Sequence, residues 1–109
     1  MSAAHFGVDN LMVIIDRNGL QQGASTEDTN RLEPLADKLA AFGWEVLTAN
    51  GHDFGELSEA MTHRATGKPV AVIVKTVKGK GFSIAEGKPE WHHKVPNAQE
   101  FTVAMGELS

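Results

Sequence analysis

Residues 11–23, LMVIIDRNGLQQG, carry five consecutive apolar residues that run straight into an acid, an amide and a glycine. An unbroken apolar run of strand length, rich in β-branched side chains and ended by turn residues, predicts a parallel strand covered on both faces. The C-terminal end of such a strand is where open α/β sheets bind ligands. At that end stand Asp16 and Asn18, short and oxygen-bearing, then Gly19, which lets the backbone turn so that a carbonyl such as that of Leu20 faces inward. Amide, carbonyl and phosphate oxygens are the donors a hard cation such as Mg2+ prefers. The plainer alternative is a strand-to-loop turn in which Asp16 and Asn18 hydrogen-bond their own backbone.

Working outward, residues 1–10 look like the end of a helix with a turn at Gly7. The long polar stretch 17–33 is unusual inside a compact domain and suits a functional or disordered connection. Pro34 then suits the first turn of a helix whose apolar stripe, Leu35, Ala36, Leu39, Ala40 and Phe42, is stopped by Gly43. Trp44, Val46 and Leu47 mark a second strand. Asp53 caps a helix carrying Phe54, Leu57, Ala60, Met61 and Ala65 at helical spacing. Residues 70–77, VAVIVKTV, form the third strand, and a last helix from Asn97 or Ala98 places Phe101, Ala104, Met105 and Leu108 on one side. The alternation predicts an α/β fold, a parallel sheet with flanking helices. These strands ask for more cover than such short helices provide, so the sheet is expected to be completed by other protein.

Composition mainly excludes. The 109 residues suit one domain, and with no cysteine there is no disulfide, thiolate nucleophile or cysteine-type zinc site. A net charge of −4 argues against nucleic acid as a partner. No apolar run approaches the roughly 20 residues of a membrane span, and no signal peptide opens the chain, so a cytoplasmic protein is expected.

Residues 78–81, KGKG, follow the third strand like a phosphate-cradling loop, but Ile84 stands where a dinucleotide fingerprint needs its third glycine. Five residues separate Gly81 from Gly87 where a P-loop has four, and Pro89 replaces its Ser or Thr, which leaves a solvated basic turn as the simpler reading. His92 and His93 lie in residues 89–96, PEWHHKVP, a proline-bounded and therefore extended loop in which adjacent side chains point opposite ways. One of them could face a cleft as a proton carrier.

The successive phrases VDNLMVIIDRNGLQ, EPLADKLAAFGWEVL, GHDF, KPVAVIVKTVKGKGFS and PEWHHKVP resemble the C-terminal part of the thiamine-diphosphate-binding (PP-type) module of transketolase. They are most similar to the N-terminal subunit of bacterial transketolases split over two polypeptides. The resemblance implies transfer of a two-carbon ketol unit between sugar phosphates, with thiamine diphosphate and Mg2+ (or Ca2+) bound in a completed site. It makes Asn18 and the carbonyl of Leu20 metal and cofactor ligands, and makes His93 a catalytic residue that also touches the cofactor. It implies as partner a C-terminal, pyrimidine-binding transketolase subunit, and an oligomer.

The family's Gly-Asp-Gly turn, source of the metal's charged ligand, occurs nowhere in the chain. Residues 1–109 are therefore expected to be a partial module, truncated at its N-terminus and inactive alone. Two alternatives stay open: another thiamine enzyme, such as a deoxyxylulose-phosphate synthase or a dehydrogenase subunit, and a non-catalytic assembly or regulatory fragment.

Overall fold

A computed structural model describes residues 1–65 and 67–109. It divides into two compact units. The first, Met1–Arg17 with Leu32–Thr76, holds the sheet. Its elements are α1 (Ser2–His5), β1 (Met12–Arg17), α3 (Leu35–Ala41), β4 (Glu45–Asn50), α4 (Phe54–Thr62) and β5 (Val70–Lys75). The second, Asn18–Arg31 with Val77–Ser109, holds a small hairpin of β2 (Leu20–Gln21) and β3 (Ala24–Ser25). It also carries α2 (Thr26–Thr29), a 3₁₀ turn at Pro89–His92, and α5 (Ala98–Glu107).

The three long strands are parallel, as the alternating pattern predicts, in the order β1-β5-β4. The last strand in sequence lies in the middle, which is why Val70, Ala71, Val72, Ile73 and Val74 are all buried. Val70, Val72 and Val74 form the core with Ala49 and Ala60, and Met12, Leu47, Leu57 and Ala65 pack against it. Gly43 stops α3 in the left-handed region (φ 87°), and the Asp53 carboxylate accepts from Glu56 N–H at 2.9 Å, as its capping position requires.

Four expectations need correction. The first strand is not covered on both faces within this chain: it lies at an edge of the sheet, and Val13 and Ile14, which point to opposite faces, are 37% and 52% exposed. Helix α4 ends at Thr62 rather than running on to Ala65, with His63 leaving the helix at ψ 144°. Of the two readings of the polar stretch 17–33, a functional or a disordered connection, the second falls, because the stretch folds into the hairpin and α2. Its two-residue loop places Gln22 at φ 45°, a conformation that costs a non-glycine residue about 1 kcal/mol. The third strand ends at Lys75 rather than running to Val77. The last helix forms as expected, and its apolar stripe is open, with Phe101, Met105 and Leu108 each more than half exposed.

The difference between centre and edge is measurable. Val72→Ala, at a site with no exposed surface, should lower stability by about 2 kcal/mol in denaturant melts of the chain. Ile14→Ala should cost less than half of that, and equal losses would contradict the strand order.

Candidate cofactor site

Strand β1 ends at Arg17, and the next three residues, which belong to the second unit, make a polar turn. Asn18 Oδ1 accepts from Leu20 N–H at 2.8 Å, across Gly19 at φ 76°. This is the side-chain-to-backbone turn named above as the plainer alternative, and it engages one of the two lone pairs of the amide oxygen. The turn is braced by Thr26, whose N–H donates to the Gly19 carbonyl at 2.9 Å. Ser25 caps α2 by accepting from Asp28 N–H at 3.1 Å and donating to the Asp28 carboxylate at 2.6 Å. The Ser-Thr-Glu-Asp run is the sequence signal for that cap, and sequence reasoning passed over it. Asp16 belongs to the first unit and is held by the Thr76 hydroxyl, which donates to it.

His93 lies in the same unit as Asn18 and Leu20 but on a separate segment. Its loop is not extended: residues 89–92 form the 3₁₀ turn, and His93 follows at φ −121°, ψ −6°. The rings of His92 and His93 consequently meet edge to face, with centroids 4.4 Å apart, instead of pointing to opposite sides. Trp91 anchors the turn against Phe82 at 5.1 Å, and Lys94 lies 4.2 Å over the indole. Lys94 in turn pairs with Glu100 at 2.6 Å, and Glu100 closes a capping box with Asn97 at the start of α5. His93 itself stays exposed, framed by this chain of contacts.

The KGKG loop is closed on itself. Lys80 Nζ lies 3.3 Å from Glu86, and Gly81 N–H donates to the same carboxylate at 3.3 Å. Gly79 is at φ 67°, and a Cβ there would meet the Ala85 backbone at 3.0 Å. The loop therefore has the solvated-turn character that its spacing suggests, with Glu86 the partner that sequence reasoning missed.

Among the described residues, no group of three His, Cys, Asp or Glu side chains is gathered in a way that could hold a metal. The Asn18 turn nonetheless fits one flank of a hard, hydrated cation. It offers an amide oxygen with a lone pair to spare and, two residues on, a main-chain carbonyl, both of the donor type Mg2+ accepts. Both donors are neutral, so charge compensation has to come from phosphate oxygens or a carboxylate beyond the turn.

Residues 1–106 match the family model of the transketolase, thiamine diphosphate binding domain. The chain is 42% identical to an apulose-4-phosphate transketolase subunit from Actinobacillus succinogenes, over 99% of this chain and 40% of that protein. It is 39% identical to the 6-deoxy-6-sulfo-D-fructose transketolase subunit SqwG of a Clostridium species, over 93% of this chain and 38% of the relative. In three dimensions it resembles transketolase from Campylobacter jejuni, with a TM-score of 0.87 and 27% identity, covering 96% of this chain and 17% of that one. The chain thus spans well under half the length of each.

The local geometry can be tested at two places. Gly79→Ala combines left-handed strain with a clash against backbone, so it should destabilise the chain by at least about 1 kcal/mol in thermal or denaturant melts, whereas Gly87→Ala, with open space around it, should show the strain alone. The hydrogen bond from Lys94, then that from Asn97 N–H, holds the Glu100 carboxyl below its ordinary 4.5. A depressed carboxyl contributes stability that is complete above its unfolded value and is lost as pH falls through the folded one. Acidification below about pH 4.5 should therefore fray the start of α5, and Glu100→Gln should flatten that response in amide NMR shifts.

Proposed function

The chain belongs to the transketolase, thiamine diphosphate binding domain family, and from that premise we propose that it supplies the diphosphate-holding side of a transketolase-type transferase. In this reading the assembly moves a two-carbon ketol unit between sugar phosphates, and a pyrimidine-binding subunit is the partner. The observation that supports it most directly is the Asn18–Gly19–Leu20 turn at the exit of β1, with two oxygen donors two residues apart.

Asn18 Oδ1 and the Leu20 carbonyl would hold Mg2+, which ties the diphosphate to the protein. The metal's remaining ligands would be phosphate oxygens, water and a carboxylate from outside the turn. Thiamine diphosphate, when bound, supplies the carbanion chemistry that carries the two-carbon unit. His93, exposed and fixed at its backbone by the Trp91, Lys94 and Glu100 contacts, would orient the substrate or deliver a proton near the diphosphate. The pyrimidine-binding half of the site would come from the partner subunit, and turnover would require both.

The test is calorimetric titration of thiamine diphosphate and Mg2+ into the chain, first alone and then with a transketolase pyrimidine-binding subunit. Saturable binding in the assembly should weaken at least tenfold in Asn18→Ala. His93→Ala should keep binding but lose about 10²-fold or more in ketol transfer, the range of a lost acid–base group. Binding that ignores Asn18→Ala, or no heat with the partner present, would sink the proposal and favour a non-catalytic assembly role.

A further inference from the structure

The peptide group joining Gly19 to Leu20 is held at both ends. Its N–H donates to Asn18 Oδ1 at 2.8 Å. Its carbonyl accepts twice from one residue, from Thr26 N–H at 2.9 Å and from Thr26 Oγ1 at 3.3 Å. The hydroxyl also lies 3.3 Å from the Glu27 carboxylate, so its proton is shared between the two acceptors. A peptide is planar, so fixing the direction of the carbonyl fixes that of the N–H on its other side. Gly19, at φ 76° and without a Cβ, imposes little restraint of its own on that plane.

Thr26 is the one buried polar side chain among the described residues, only 8% exposed. A buried hydroxyl is costly unless bonded, so it prefers the geometry in which the Gly19 carbonyl faces it. Ser25, as cap of α2, fixes where Thr26 stands.

We infer that Thr26 is a positioning residue for the metal-holding turn. By clamping the Gly19 carbonyl it orients the Gly19–Leu20 peptide, and through that N–H it sets the direction in which Asn18 Oδ1 presents its second lone pair. Leu20's own carbonyl lies in the next peptide and is reached from this one only through the Leu20 dihedral angles. The inference rests on the reading of Asn18 and Leu20 as Mg2+ donors. Outer contacts of this kind typically change metal affinity by about 10- to 100-fold when removed.

Two variants separate the hydroxyl from the shape: Thr26→Val keeps the shape and the N–H bond, and Thr26→Ser keeps the hydroxyl. Two readouts are taken, amide hydrogen exchange at Leu20 in the chain without cofactor, and Mg2+ half-saturation at fixed thiamine diphosphate in the assembly with a pyrimidine-binding subunit. Thr26→Val should speed exchange at Leu20 and raise the Mg2+ half-saturation about tenfold, with turnover at saturating Mg2+ within about twofold of wild type. Thr26→Ser should restore both. If Thr26→Val unfolds the chain, seen as lost protection across β5, Thr26→Ala is judged by the same two measurements. An unchanged Leu20 exchange rate and Mg2+ response in the folded variant overturn the inference, as does a Thr26→Ser variant that fails to rescue. Failure of the underlying functional reading looks different: there the wild type itself shows no Mg2+ dependence, or Asn18→Ala matches it.

Discussion

The parallel pairing of β5 with a strand on each side is the constraint on which the rest depends. Val70 to Lys75 are matched residue for residue by Met12 to Arg17 and by Glu45 to Asn50. In-register parallel strands end together, so the three exits, after Arg17, Lys75 and Asn50, fall at one end of the sheet. That end is tightened by short contacts. Gly51 N–H donates to the Lys75 carbonyl at 2.7 Å, and a Cβ on Gly51 would fall 2.3 Å from a Thr76 carbon. Thr76 in turn holds Asp16. Within the first unit, the end of β1 is thereby tied to the exits of β5 and β4.

Asn18 shows why a bland reading and a functional one need not compete. An amide oxygen has two lone pairs, and the bond from Leu20 N–H uses one. The local turn that makes the residue look structural also stops its side chain from rotating. For a cation held by neutral oxygens that matters more than for one held by carboxylates, because weaker donors have little enthalpy to spare for ordering a loose side chain.

Much of the fold was legible because its signals are local. The apolar run of β5, the Asp53 cap and the start of α5 at Asn97 or Ala98 each sit within a few residues of what they control. The parts that were not legible depend on partners distant in sequence or on conformations the residue type disfavours. The hairpin closes through Thr26 onto Gly19, seven residues back, and through Gln22 at positive φ. Residues 89–92 coil into a 3₁₀ turn because Trp91 finds Phe82 and Lys94, whereas the prolines alone predicted extension. The candidate residues divide in the same way. Asn18 and Leu20 stand out at the strand exit in the sequence, while Thr26, which bonds Gly19 between them, lay in a run read only as polar.

The two units are also stabilised by different physics. In the first, a row of valines and alanines is removed from water. In the second, Thr26 and Ala85 are the buried residues among those described, and polar contacts hold the segments: Glu86 closes its own loop, Glu107 accepts from Ser83 N–H at 2.8 Å, and Glu100 ties Lys94 to α5. Exposed pairs of this kind contribute little each, so these loops belong to the low-stability end of the molecule. Any ligand that binds only their ordered form stabilises them by mass action. A ligand held by Asn18, Leu20 and His93 would by the same linkage add most to the unit that has the smaller core of its own.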